Sequence, residues 1–343
     1  MKKLRRLKKG LAVLLSLAMV AGLMPDVGII QASAAGSEET VDAFKVTGGT
    51  LGTDYTYADG VLTIKSATPI TIANTNPNTA TTDRIEVASL VGANITLDGV
   101  NIDVSSIANT AAFKIADNST GNVTITLANG LENTLKSGTG CAGLQKNGSG
   151  EDIGKLTIQG CKGKLTAIGG VSGAGIGGGD GGSGSNIEIS GGSVKAVAGT
   201  DANDIGGGSG KEAVTPTSDG TTPVYLLEIE NEGGADITIN NTAYPTNHNG
   251  EKKIYAYLPA KTVAEPNVVV VGTETTKYVY ETMWRIIQTG GYDAEGFCIN
   301  YEWKDGSLVL KDGIADDHKD CNGYQPATWT TDKYDLNKDN KKG

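Results

Sequence analysis

The chain reads as an all-β protein whose centre is a parallel β-helix (a solenoid) with about 30 residues per coil. Three observations lead there. Leu97, Leu127, Ile158 and Ile189 recur at intervals of 30, 31 and 31 residues. Ile115, Leu144, Ile176 and Ile205 recur at intervals of 29, 32 and 29, so each coil offers an aliphatic side chain at the same two stations. A repeat of this length marks units that cannot bury their apolar face alone and stack on their neighbours. The third observation is local. Around the first column the sequence reads ITL, TITL, LTI and IEI, short runs of alternating polarity that suit half-buried strands and lack helical spacing. Coils of this kind stack at about 4.8 Å, the ordinary interstrand spacing.

Residues 1–34 have the parts of a secretory signal peptide: the cationic MKKLRRLKK, the apolar GLAVLLSLAMVAGLM and the small-residue site Ala32-Ser33-Ala34. The apolar run is short for a membrane anchor. The β-helix is expected over residues 41–212. It opens on an N-terminal hairpin cap in which Tyr55 and Tyr57 alternate, Asp59-Gly60 turns, and Val61, Leu62 and Ile64 return. Such a cap covers strand edges that the first coil would leave open. The Gly-rich runs GGVSGAGIGGGDGGSGS and AGTDANDIGGGSG form coil corners. Residues 213–223, AVTPTSDGTTP, read as a linker. A small β-rich module follows over 224–282, with strand-like runs at 224–229, 237–239, 254–258, 268–271 and 278–280. Residues 283–343 read as a hairpin turning at Asp305-Gly306 and a polar, partly disordered tail.

The whole chain carries a net charge of −10. Without residues 1–34 it has 23 Lys and Arg against 38 Asp and Glu, a net charge of −15. Such a chain repels nucleic acid and anionic membrane, and is compatible with cations or neutral glycans. Four cysteines occur, and export leaves the pairs Cys141–Cys161 and Cys298–Cys321 open as disulfides. Against the first pair, Cys141 lies 14 residues past Leu127 whereas Cys161 lies three past Ile158, which puts them at different stations of successive coils.

The stretch NVTITLANGLENTLKSG (Asn122 to Gly138), then LTIQGCKGKLTA and the AGIGGG and DIGGG corners, resembles secreted Firmicutes proteins described as carbohydrate-binding domain-containing. The segments VYLLEIEN, YPTNHNGEKKIYAYLPA and TTKYVY resemble a small module that follows the helix in such proteins. The resemblance covers residues 41–280. It implies a polysaccharide-lyase-like right-handed parallel β-helix and glycan binding, with calcium as a candidate cofactor, rather than catalysis. It carries no binding residue over to this chain.

Chemistry has few footholds. Between residues 65 and 210 there is one arginine, Arg84, and no histidine, whereas lyases of this fold need a base beside a carboxylate-held cation and glycoside hydrolases need paired carboxylates. Asp83, Glu86, Asp98 and Asp103 are close in sequence, and Asp98 and Asp103 are the candidate metal ligands of a shallow acidic patch. Solvated charges at coil corners are the commoner role for such residues. Asp335, Asn337 and Asp339 repeat the first three ligand positions of an EF-hand loop, but Asn340 stands where glycine is expected and the sequence reaches Gly343 without the closing Glu. His248 and His318 read as isolated loop histidines with no assignable partner.

Sugars are usually held on aromatic faces with polar neighbours. The only aromatic between residues 65 and 210 is Phe113, while ten of twelve tyrosines and all three tryptophans follow residue 224. Tyr255 with Tyr257, and Tyr278 with Tyr280, are therefore the candidate platform; cross-strand packing is the competing role. A β-helix that itself binds must use rows of Asn, Thr, Ser and Asp, or a metal. The expectation is a monomeric, non-catalytic, secreted or surface-associated polysaccharide binder acting by avidity. A stalk or protein-binding adhesin is the alternative, and a polysaccharide lyase the third.

Overall fold

The computed structural model describes residues 37–150, 152–261, 265–281, 301–304, 307–310 and 328–331. The expected signal peptide of residues 1–34, Cys298, Cys321, His318 and the Asp335, Asn337, Asp339 run lie outside the described residues. Two antiparallel hairpins begin the fold: β1 (Glu38–Val41) with β2 (Phe44–Thr47), and β3 (Tyr55–Ala58) with β4 (Val61–Ile64). The second turns on Asp59 and Gly60, whose φ values of 52° and 72° match the paired positive angles of a tight hairpin turn. β5 (Ile70–Asn74) and β6 (Arg84–Val87) start the parallel pairing.

Four coils follow, each giving one strand to each of three parallel sheets. They are β7 (Ala93–Leu97), β8 (Asn101–Asp103) and β9 (Phe113–Ile115); β10 (Val123–Leu127), β11 (Glu132–Lys136) and β12 (Leu144–Lys146); β13 (Leu156–Gln159), β14 (Lys164–Ile168) and β15 (Ile176–Gly177); β16 (Ile187–Ile189), β17 (Ser193–Val197) and β18 (Ile205–Gly206). The first sheet runs β1-β2-β5-β7-β10-β13-β16, the second β8-β11-β14-β17, and the third β3-β4-β6-β9-β12-β15-β18. No described residue is helical. The predicted β-solenoid is therefore the observed fold.

All eight aliphatic side chains of the sequence columns are buried, yet two of the expected stackings shift by two residues. Ile158 stands over Ile125 rather than Leu127, and Leu144 stands over Phe113 rather than Ile115. Measured by register, successive coils are 30, 33 and 31 residues long at Ile95, Ile125, Ile158 and Ile189. The excess lies between the third and first sheets. Leu156 follows Lys146 by ten residues, where Val123 follows Ile115 by eight. A constant interval between identical residue types conceals such a slip, because the strand period of two keeps both candidates inside.

Two devices fix the corners. A Cβ on Gly138 would lie 1.8 Å from the Ile107 carbonyl, one on Gly170 2.1 Å from that of Gly138, and one on Gly199 1.8 Å from that of Gly170. Successive coils thus touch backbone to backbone, and only glycine fits. Between the first and second sheets, buried Asn133 accepts the N–H groups of Gly99 (3.0 Å) and Val100 (2.9 Å) and donates to the Lys164 carbonyl (3.0 Å). It satisfies turn groups that water cannot reach.

The segment read as a linker lies on the last coil. Gly206 bridges to Ala213, Glu188 to Thr217, and Thr217 to Pro223. Beyond it come β19 (Val224–Glu230), β20 (Ile237–Ile239), β21 (Thr242–Tyr244), β22 (Lys253–Pro259), β23 (Asn267–Val271) and β24 (Glu274–Glu281), then β25 (Tyr301–Lys304), β26 (Ser307–Leu310) and β27 (Thr328–Thr331). β19 pairs with β22, and a second sheet runs β21-β20-β23-β24-β27. Leu227, Ile229, Ile237, Ile239, Ile254, Leu258 and Val269 form the core of this module. β25 and β26 pair antiparallel as a separate two-stranded sheet.

Candidate functional site

The inward half of each first-sheet strand builds the core, so the outward half is fixed by alternation. Thr47, Thr71, Thr96, Thr126 and Gln159 fall in one row across five neighbouring strands. Asn94, Thr124 and Thr157 form a second row, which ends on Glu188. The four threonines of the first row and Thr124 are half-exposed, Asn94 and Gln159 are exposed, and Thr157 is buried. Gln159 donates to the Thr126 hydroxyl across the coils at 3.0 Å. These eight positions before Glu188 hold no charge, in a chain of which 20% is charged. A solvated β-face ordinarily carries Lys and Glu to prevent edge and face association. Between the Lys45–Glu38 pair at one end and Glu188 at the other, this face offers methyl, hydroxyl and amide groups on a rigid lattice instead. The repeated texts NIT, TIT and TIQ were its sequence signal.

The second sheet is different, because the C-terminal module sits on it. The module's Asn247 side chain accepts from Lys164 at 3.0 Å, and the Asn249 N–H donates to Glu132 at 2.6 Å. His248 is fully buried. Its Nε2 lies 2.7 Å from the Thr166 hydroxyl and its Nδ1 2.7 Å from that of Ser193, on successive coils. Ser193 also accepts the Tyr255 N–H at 2.9 Å. Glu251 joins Lys195 and the Tyr255 hydroxyl. No sequence pattern assigns His248 a partner; the tertiary structure places two hydroxyls against it, and neither is open to a substrate. Burial pushes its pKa down to about 4, against the opposing pull of Glu132 and Glu251.

The predicted tyrosines are placed differently from a sugar platform. Tyr255 and Tyr257 do share one face of β22, but that face is turned to the β-helix. Tyr255 is 5% exposed, with the Lys195 ammonium 5.0 Å from its ring centre, and Tyr257 packs against the solenoid core. Tyr278 packs on the module core. Tyr280 stacks on Tyr225 with centroids 3.9 Å apart and meets Trp329 edge-on at 5.0 Å. The Trp329 indole donates to the Leu226 carbonyl at 2.7 Å. These rings close the edge between the module's two sheets.

Of the acidic residues, Asp103, Asp83 and Glu86 are separately engaged. Asp103 pairs with Lys136 at 3.1 Å and accepts the Ser105 N–H. Burial works against its charge, but these bonds outweigh it and hold the carboxyl below its usual range. Asp83 accepts the Tyr57 hydroxyl at 2.7 Å, and Glu86 pairs with Arg84. Among the described residues no three His, Cys, Asp or Glu side chains converge to hold a metal, so Asp98 and Asp103 do not form a cation cluster there. Cys141 and Cys161 are free, the first buried and the second exposed. No described helix is long and apolar enough to cross a membrane. Comparison with known families, with curated proteins and with solved structures finds no match to this chain.

Proposed function

We propose that this is a secreted, non-catalytic polysaccharide-binding protein whose β-helix is the binding element. The observation that carries the reading is the uncharged lattice of the first sheet: Thr71, Thr96, Thr126 and Gln159 beside Asn94 and Thr124. Threonine gives a sugar ring both a methyl group to lie on and a hydroxyl to bond. Each contact is weak, and a regular row lets many of them add along one polymer. The net charge of −10 disfavours acidic glycans and directs the proposal to neutral chains. The resemblance to secreted carbohydrate-binding proteins of Firmicutes supports the same reading. The ion pair of Arg84 with Glu86 leaves the one arginine of this region engaged, which favours binding over lyase chemistry.

The test is depletion of the full chain from solution by insoluble neutral polysaccharides, cellulose, chitin, xylan and starch, with and without calcium. Thr96→Lys combined with Thr126→Lys places two charges in the middle of the lattice without touching the core. Binding should fall at least about tenfold, the effect of about 1.4 kcal/mol. Silence of the native protein on every glycan leaves the stalk or adhesin reading and overturns this one. Unimpaired binding by the double variant removes the lattice from it. Any unsaturated product released from a polysaccharide ends the non-catalytic reading.

A further inference from the structure

We propose that the seat of the C-terminal module on the β-helix is an acid-released junction, with His248 as its trigger. The geometry comes first. The His248 side chain bonds two coils at once, to Thr166 of β14 and Ser193 of β17, each at 2.7 Å. Ser193 already accepts the Tyr255 N–H, so its own proton is available for Nδ1. The neutral ring then carries its proton on Nε2 and donates it to Thr166. A second ring proton reverses the Ser193 bond and leaves the serine proton without that acceptor.

The charges around the ring do not rescue the protonated form. β11 brings Glu132, β14 brings Lys164 and β17 brings Lys195, while the module brings Glu251 from the same loop and Tyr255 from β22. Glu132 is bonded by Lys164 at 3.0 Å and by the Asn249 N–H, and Glu251 by Lys195 and Tyr255. The two carboxylates therefore face cations of their own, and an imidazolium adds a third positive charge in a site closed to solvent, where His248 is 0% exposed. Burial dominates and lowers the pKa from 6.5 to about 4. The sign follows from linkage. Between these two values the released histidine holds a proton that the seated one refuses, so seating weakens as pH falls through this window and is unaffected above it. Between pH 7.5 and 4.5 the seating equilibrium should drop roughly 70-fold.

Hydrogen exchange of the full chain, corrected for intrinsic rates, reads this directly in peptides spanning 193–197 and 245–259. Exchange through opening should rise roughly 70-fold from pH 7.5 to 4.5 in the native protein. In His248→Gln, which keeps Glu132 and Glu251 but cannot titrate, the rise should stay below about threefold, since only the carboxylates then respond. An NMR titration of the His248 ring in the native protein gives the same answer without a variant, and the expected midpoint lies below 5. Unchanged protection, a Gln variant that opens in parallel with the native chain, or a ring midpoint above 6 each overturns the proposal. Neither assay involves a glycan, so its failure is distinct from failure of the binding reading.

Discussion

Lys146→Met should make the protein more stable at neutral pH and lose that advantage in base. Lys146 occupies an inward station in the column Ile64, Val87, Ile115, Lys146, is 3% exposed, and donates to the Ser185 carbonyl at 2.6 Å. Burial lowers its pKa from 10.5 to about 8. The unfolded chain thus binds more protons between those values, and stability of the native protein rises with pH across that window. Below it the cost of the shift is about 3 kcal/mol, reduced to about 2 by residual solvation of the ammonium. Methionine fills the same space on Ile115 without charge but leaves the Ser185 carbonyl unbonded, which costs about 1 kcal/mol. The net expectation is a variant more stable by about 1 kcal/mol at pH 7 and at parity near pH 9.5. Paired urea denaturations at pH 7, 8.5 and 9.5 measure it, and effects of base on other groups cancel in the difference. A difference that does not change with pH would show that the lysine is not held as a buried charge.

Gly170→Ala should cost at least about 3 kcal/mol, because its Cβ would stand 2.1 Å from the Gly138 carbonyl and coil spacing cannot widen locally. Gly130→Ala meets nothing within 4 Å at φ +80° and should cost only about 1 kcal/mol of backbone strain. Equal losses in thermal melts of the two variants would refute the backbone-contact account of the corners. A thiol reagent mapped by mass spectrometry should modify Cys161 in the folded protein and Cys141 only after denaturation, given their exposure. Rapid modification of both would contradict the burial of Cys141.

The β-helix was legible because its signal is local and repeated. Alternation every two residues sets which side chains point inward, and recurrence of Ile and Leu about every 30 residues says that units stack. The capping hairpin was legible for the same reason, since Asp59-Gly60 names its own turn. Register was not: Ile125 and Leu127 are equally apolar and face the same way, and only the longer connection after Lys146 decides which of them Ile158 stands over. Nor were the fates of Tyr255 and His248. Both belong to a polar, aromatic surface that the sequence presents as available.

Local periodicity by itself therefore determined the class of fold, its coil length, its inward residues and the uncharged threonine rows opposite them. The tertiary structure alone decided that the second sheet is covered, that Tyr255 and Tyr257 face the β-helix, and that Thr166, Ser193 and His248 meet. The physical reason is separation. Alternation acts between adjacent residues, whereas seating the module joins surfaces 82 and 55 residues apart in the chain, through hydrogen bonds that no short-range pattern records.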